Sequence, residues 1–213
     1  MLVTVLGASG RTGIHVVRLL MRHGHTVRAG LRSRDRGAEV ARFGATPVLA
    51  DLASGADALL EAFTGADAVI NTAGAADPDP SAVNLVDRDG SIAAVEAAER
   101  AGVPRFVQLS AQFADAPDQG DRLVRSILLA KQVSDIALQR SSLIWTLVRP
   151  GTLTDEPPTG RVRIAGHLEP GRVPRPDVAA VLAASLHEPR TENRGFDVVT
   201  GEIPVSSALA SVS

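Results

Sequence analysis

Leu2-Val3-Thr4-Val5-Leu6-Gly7-Ala8-Ser9-Gly10-Arg11-Thr12-Gly13 is the stretch on which the reading of this chain turns. Its first five residues form an apolar, β-branched run suited to a strand buried on both faces, and the glycine-rich stretch after it opens an amphipathic segment. Glycines at a strand-to-helix junction let the backbone approach a pyrophosphate with no Cβ in the way. The first helical turn then presents free N–H groups and the positive end of its dipole. Three glycines alone are weak evidence; their place after the first strand of a βα unit gives them meaning. The expected ligand is a dinucleotide, held by Gly7, Ser9, Gly10, Arg11, Thr12 and Gly13.

Outward from this turn, short apolar runs at 2–6, 26–31, 46–50, 68–71, 105–109 and 146–148 alternate with helical patterns near 12–23, 35–42, 55–63, 82–101 and 120–140. Such alternation predicts an α/β fold, a Rossmann-type doubly wound parallel sheet of order 3-2-1-4-5-6 with helices on both faces. Right-handed crossovers place the carboxyl ends of strands 1 and 4 side by side at the switch point, where a dinucleotide would lie. After Arg149-Pro150-Gly151 the alternation stops. Prolines 157, 158, 170, 174 and 176 punctuate a stretch read as a small substrate-side lobe, mainly 151–176, within a single domain spanning 1–213. A helix near 177–187, a late strand at 196–199 that would be a seventh, and a short helix at 206–212 complete the reading.

Composition narrows the partners. A net charge of −2 without Lys/Arg blocks argues against a nucleic-acid binder. No run approaches the roughly 18 apolar residues of a membrane span, and the chain enters a strand without a charged leader, so a cytoplasmic protein is expected. Zero cysteines remove disulfides and thiolate chemistry. His15, His23, His25 and His187 show no metal-ligand spacing, and no metal is expected. Monomer and homodimer both stay open.

The end of the second strand usually selects the dinucleotide, because a carboxylate there bonds a ribose 2′-hydroxyl whereas an arginine accommodates a 2′-phosphate. Here Gly30-Leu31-Arg32-Ser33-Arg34 precedes the first carboxylate, Asp35, which favours NADP(H) over NAD(H). Arg32 is the candidate phosphate contact, with Arg11 as a second positive charge. Asp51 and Leu52, after the third strand, suit an adenine amino group and ring; Asp51 followed by Ser54 equally suits a helix cap. Asn71-Thr72-Ala73-Gly74 closes the fourth strand with small residues, and Thr72, Ala73 and Gly74 would let ribose and pyrophosphate pass close to the backbone.

With these residues the chain resembles the short-chain dehydrogenase/reductase superfamily in its atypical NAD(P)H-binding branch, alongside flavin and biliverdin reductases and NmrA-like regulators. The resemblance also rests on Val86-Asp87-Arg88-Asp89-Gly90, Ala101-Gly102-Val103-Pro104-Arg105-Phe106-Val107, Ser110, Thr146-Leu147-Val148-Arg149-Pro150-Gly151, Leu153-Thr154-Asp155-Glu156-Pro157 and Arg175-Pro176-Asp177-Val178-Ala179. It implies that Lys131 bonds the nicotinamide ribose, that Pro150, Gly151 and Thr152 pass beside the carboxamide, and that Ser110 lies at the reacting edge. Asp135, four residues after Lys131, offers a competing i,i+4 ion pair.

The resemblance also implies a tyrosine four residues before the lysine as proton donor. Position 127 is Ile127, and the chain has no tyrosine at all. Loss of a positioned general acid typically removes about 10²- to 10⁴-fold in rate. The expected activity is therefore NADPH-dependent hydride transfer to a conjugated planar acceptor of the flavin, quinone or tetrapyrrole type, whose π-system spreads the arriving charge. The alternative is a non-catalytic NADP(H) sensor. Ser110 and Lys131 are the expected catalytic pair, and Gln112, Phe113 and His167 the expected substrate contacts. Ala114–Arg122 reads as a possible lid and Gly74–Ser81 as the opposite rim. Arg149 is expected to pair with Glu156 or Asp155, and Trp145 to pack in the core or at its edge.

Overall fold

Strand and helix alternate from the first residues. In order the chain forms β1 (Leu2–Leu6), α1 (Gly13–Arg22), β2 (Thr26–Leu31), α2 (Gly37–Ala41), β3 (Thr46–Leu49), α3 (Leu60–Phe63), β4 (Ala68–Asn71), α4 (Pro80–Val83) and α5 (Ser91–Arg100). There follow β5 (Arg105–Leu109), α6 (Arg125–Arg140), β6 (Ile144–Pro150), β7 (Thr152–Thr154), β8 (Arg161–Ala165), β9 (Arg172–Pro174), α7 (Arg175–Ala184), β10 (Arg194–Thr200), β11 (Ile203–Pro204) and α8 (Val205–Leu209). This computed structural model describes residues 1–77, 79–121 and 124–212. Pro78 of the Gly74–Ser81 rim, Arg122 of the proposed lid and Leu123 in the helix expected from 120 lie outside the described residues.

One sheet carries the order β11-β8-β10-β6-β5-β4-β1-β2-β3, so the expected 3-2-1-4-5-6 core is present with further strands added beyond β6. β10 extends the parallel set, with Phe196 opposite Val148, and β8 then runs antiparallel to β10, with Ile164 opposite Val198. The strand β8 went unread because its flanks are proline- and glycine-rich. Yet Arg161-Val162-Arg163 alternates exposed and buried, as a strand with one solvent-facing side should. The stretch 151–176 thus supplies β8 to the main sheet and pairs β7 with β9, and its Val162 and Val173 join the apolar core.

Side-chain alternation along the central strands divides that core between two faces. Val5, Ile70 and Val107 pack with Val16, Val17 and Leu20 of α1 and with Val178, Val181 and Leu182 of α7. Leu6, Val69, Phe106 and Leu147 face the other way, onto Phe63, Ala94, Ala97, Ala98 and Leu138. Each fully buried Leu, Val or Phe contributes about 1.5–3 kcal/mol, which makes the sheet a rigid base for the loops at its carboxyl edge. Trp145 is half-buried against the second cluster, as expected of a packing residue.

Between α4 and α5 the helix widens into a π-helical segment, Asn84–Gly90, that buries Asp87. Such wide turns are rare and concentrate at functional sites. A Cβ on Gly90 would lie 2.7 Å from the Leu52 Cβ, so glycine lets this segment rest on the turn after β3.

Candidate functional site

The carboxyl ends of β1 and β4 are tied to each other at the switch point. Thr72 donates to Leu6 O through both its backbone N (3.1 Å) and its hydroxyl (2.7 Å), and Asn71 Oδ1 accepts from Ala73 N (3.1 Å). Gly7 sits at φ 67°, and a Cβ there would lie 2.8 Å from Ala73 Cα. At Gly13 a Cβ would run into Gly7 O and lie 2.7 Å from Thr72 Oγ1. These two glycines close the turn against β4, while Gly10 meets only Gly7 O at 3.0 Å and leaves its outer side free for a ligand.

Over this turn lies a cleft of about 420 Å³, within the range of small-ligand pockets. Its lining brings together Gly7, Ser9, Gly10, Arg32, Asp51, Leu52, Thr72, Ala73 and Gly74, as read from the sequence. Val86 and Asp35 also line it; neither was read as a contact. The cleft fits the adenosine and phosphate half of a dinucleotide: glycine backbone at one end, the α1 N-terminus beneath, and a cation at the rim. Arg32 is exposed and makes no ion pair among the described residues, whereas Arg36 is committed to Glu39. Asp51 lines the cleft, and its side chain accepts from Ala53 N at 3.1 Å as a helix cap.

Other expected residues lie elsewhere. Arg11 points away from the cleft to Asp155, which also holds Arg175 at 2.7 Å. Thr12 is buried at the α1 cap position. Pro150, Gly151 and Thr152 form the passage from β6 to β7; Gly151 N donates to Val198 O (3.0 Å), and a Cβ at Gly151 would collide with Gly171 O.

Behind the cleft is a buried polar cluster. Lys131 Nζ lies 3.0 Å from Asp87 Oδ1 and 3.4 Å from Ala73 O, while Asp87 Oδ2 accepts from Ala75 N (2.9 Å). The lysine therefore bolts the loop after β4 to the π-helical segment. The competing Lys131–Asp135 surface pair does not form. Asp135 is 3% exposed and accepts from Ser110 Oγ (2.6 Å) and Gln108 Nε2 (2.9 Å). Ser110 is thus bonded to a carboxyl group 25 residues away and not to local backbone. Burial pushes the Asp135 carboxyl up from the ordinary carboxylate range, against the Ser110 and Gln108 hydrogen bonds and the charges of Arg149 and Lys131.

Arg149 pairs with neither Asp155 nor Glu156. Its side chain runs back under the loop after β5, with Nη1 2.6 Å from Asp115 Oδ2 and Nε 3.8 Å from Asp135 Oδ2. The chain direction explains the difference: Asp155 and Glu156 lie beyond the β6–β7 turn, whereas β5 is the neighbouring strand.

A second, open cavity of about 920 Å³ is lined by Phe113, Asp115, His167 and Asp197 among others. Phe113 adopts φ 67°, and His167 Nδ1 is 3.8 Å from Asp115 Oδ2. Gln112 is buried and donates to Leu168 O (2.7 Å) and Glu169 O (3.1 Å), fixing the far wall. Burial raises the Asp197 carboxyl, opposed by hydrogen bonds from Leu168 N and Gln112. Sequence reasoning gave no site role to Asp87, Asp115 and Asp197 and read Asp135 only as a competing partner of Lys131, because a lone aspartate carries no periodic signal. Only Asp87 stood in a quoted motif. The histidines at 25 and 187 do meet, with Nε2 atoms 3.3 Å apart, yet no group of three metal-ligating side chains occurs among the described residues.

Comparison with known proteins adds three relatives and a family. The NAD(P)H-binding family model matches residues 7–189. A Bacillus subtilis (strain 168) protein carrying the name "Uncharacterized sugar epimerase YhfK" is 38% identical over 211 residues, spanning 98% of this chain and 99% of that one. A Bacillus halodurans structure, provisionally described as an NAD-dependent epimerase/dehydratase, superposes with TM-score 0.92 at 34% identity and 98% coverage of both chains. ChuY, an anaerobillin reductase from Escherichia coli O157:H7, shares the fold at TM-score 0.82 and 22% identity, over 95% of this chain and 98% of its own.

Proposed function

The chain belongs to the NAD(P)H-binding family, and from that premise we propose that it is an NADPH-dependent reductase of a conjugated planar acceptor. The observation that carries this reading is a cleft suited to the adenosine and phosphate half of a dinucleotide at the carboxyl edge of the sheet, the edge where β5 ends just before Ser110, in a chain that has no tyrosine. When bound, the dinucleotide supplies a hydride at that edge.

Arg32, exposed at the rim, pairs with the 2′-phosphate, and this selects NADPH over NADH. Gly7, Ser9 and Gly10 lie along the pyrophosphate with the α1 N-terminus beneath it. Asp51 and Leu52 take the adenine. Lys131 and Ser110 stand toward the nicotinamide half, and Pro150, Gly151 and Thr152 border it. The acceptor enters through the second cavity, past Phe113, Gln112 and His167. A flavin, quinone or tetrapyrrole needs mainly positioning, since its own π-system takes up the charge.

The sugar epimerase named in the Bacillus subtilis relative would need a base strong enough to remove a hydroxyl proton as hydride leaves carbon. With no tyrosine in the chain, that task would fall on a serine backed by a buried carboxyl, which favours reduction instead. The test follows NADPH absorbance with flavin mononucleotide, menadione and biliverdin as acceptors. Catalytic oxidation with at least one acceptor, faster with NADPH than with NADH, is the expected result. Tight NADPH binding with no turnover on all three refutes the reductase and leaves a dinucleotide-binding regulator.

A further inference from the structure

Three carboxylates and two cations meet behind the cleft, the buried Asp87 and Asp135 and the exposed Asp115 against Lys131 and Arg149. The cations are already assigned. Lys131 is 3.0 Å from Asp87 and Arg149 is 2.6 Å from Asp115, each in direct contact. Asp135 is left without a hydrogen-bonded cation; the nearest is Arg149 Nε at 3.8 Å, a buried N–H with no hydrogen-bond partner of its own. At 3% exposure Asp135 also has almost no contact with water. A carboxylate so placed lowers its energy by taking up a proton. Its shortest contact is the Ser110 hydroxyl, with Oγ and Oδ2 2.6 Å apart, a separation that serves donation in either direction.

From this juxtaposition we infer that Asp135 is held protonated at neutral pH and positions Ser110 as the proton donor that replaces the missing phenol. The step rests on the reductase reading given above. As the acceptor is reduced by hydride from the bound dinucleotide, which is oxidised, a new O–H or N–H bond forms on the acceptor and the Ser110 Oγ–H bond breaks. The Asp135 Oδ2–H bond breaks in turn as its proton moves to Oγ. The resulting carboxylate keeps its hydrogen bond from Gln108 Nε2 and gains the attraction of Arg149 Nε, and solvent later returns one proton. Asp135 acts only through Ser110 and is a positioning residue.

Two measurements test this on the whole protein. Infrared difference spectra at neutral pH should show a protonated-carboxyl C=O band that disappears in Asp135→Asn and shifts in Ser110→Ala. With NADPH and flavin mononucleotide, menadione or biliverdin, both variants should lose about 10²-fold in kcat with an unchanged KM for NADPH, and the fall of rate at alkaline pH should vanish in Asp135→Asn. NADPH titration of each variant verifies that it is folded. An absent band, or a band unaffected by Asp135→Asn, overturns the inference. So does a wild type that turns over while Asp135→Asn keeps its rate and pH profile, and that result leaves the reductase reading intact. A wild type inert toward all three acceptors overturns the reading and this step together.

Discussion

Replacing Gly13 by alanine adds one methyl group at the point where α1 leaves the glycine turn. The added carbon would collide with Gly7 O and lie 2.7 Å from Thr72 Oγ1 and 2.9 Å from Gly7 C, all but one of them backbone. Neither the turn nor β4 can yield without breaking the Thr72 bonds to Leu6 O, so α1 must retreat. Overpacking of this kind costs about 1–3 kcal/mol. Alanine in a helix returns about 0.5–1 kcal/mol relative to glycine. The net loss is about 0–2.5 kcal/mol, and at about 2–4 °C per kcal/mol for a chain of this size the Tm falls by up to about 10 °C. The same retreat takes the first-turn N–H groups away from the phosphate; loss of one such charge-assisted bond, about 1.5–3 kcal/mol, weakens NADPH binding by about 10- to 100-fold. Gly37→Ala is the matched control. Gly37 is helical (φ −58°, ψ −41°), and its added Cβ would meet only Pro47 Cβ at 3.6 Å, an ordinary contact. Thermal unfolding by circular dichroism and fluorescence titration with NADPH should separate the two, with Gly37→Ala equal to or more stable than wild type. If Gly13→Ala matches Gly37→Ala in both assays, the packed-turn reasoning is wrong.

Three further outcomes follow from the same geometry. Arg32→Ala should weaken NADPH by about 10- to 100-fold and leave NADH nearly unchanged, read by paired titrations; equal weakening assigns the phosphate contact elsewhere. Asp87→Asn strands a buried lysine charge, which costs about 3–5 kcal/mol and lowers Tm on the order of 10 °C, and adding Lys131→Met should recover part of that loss. Equal Tm values for the single and double variants would show the two residues to be uncoupled. Burial, and then the neighbouring His187, hold the His25 imidazole below the ordinary histidine value of about 6.5. The unfolded chain therefore binds the proton first, and stability present above that value is lost as pH falls through it. Tm measured from about pH 7.5 to about pH 5.5 should decline less in His25→Gln than in wild type.

The strand order and the cleft were legible because both rest on local patterns. Apolar runs mark buried parallel strands, glycines mark a turn that must approach β4, and topology then places the ends of β1 and β4 together without further information. β8 and β11 were missed because short strands flanked by proline and glycine carry little periodicity, and the pairing of β8 with β10 and of β11 with β8 is set by long-range contact. Arg11 was chosen for its place in the motif, yet its side chain is exposed and meets Asp155, 144 residues away.

The amino-acid sequence by itself determined a doubly wound sheet, a glycine turn closing on β4, a cation after β2 and the absence of any phenol. Each of these is a statement about residue type at a position, or about spacing along one element. Only the tertiary structure decided which buried carboxyl keeps which cation. Lys131 and Asp135 stand one helical turn apart, yet they part ways because the β4 loop and π-helical segment offer Asp87 to one and β5 offers Ser110 and Gln108 to the other. Charge pairing in a low-dielectric interior depends on distances across elements, which no local pattern encodes.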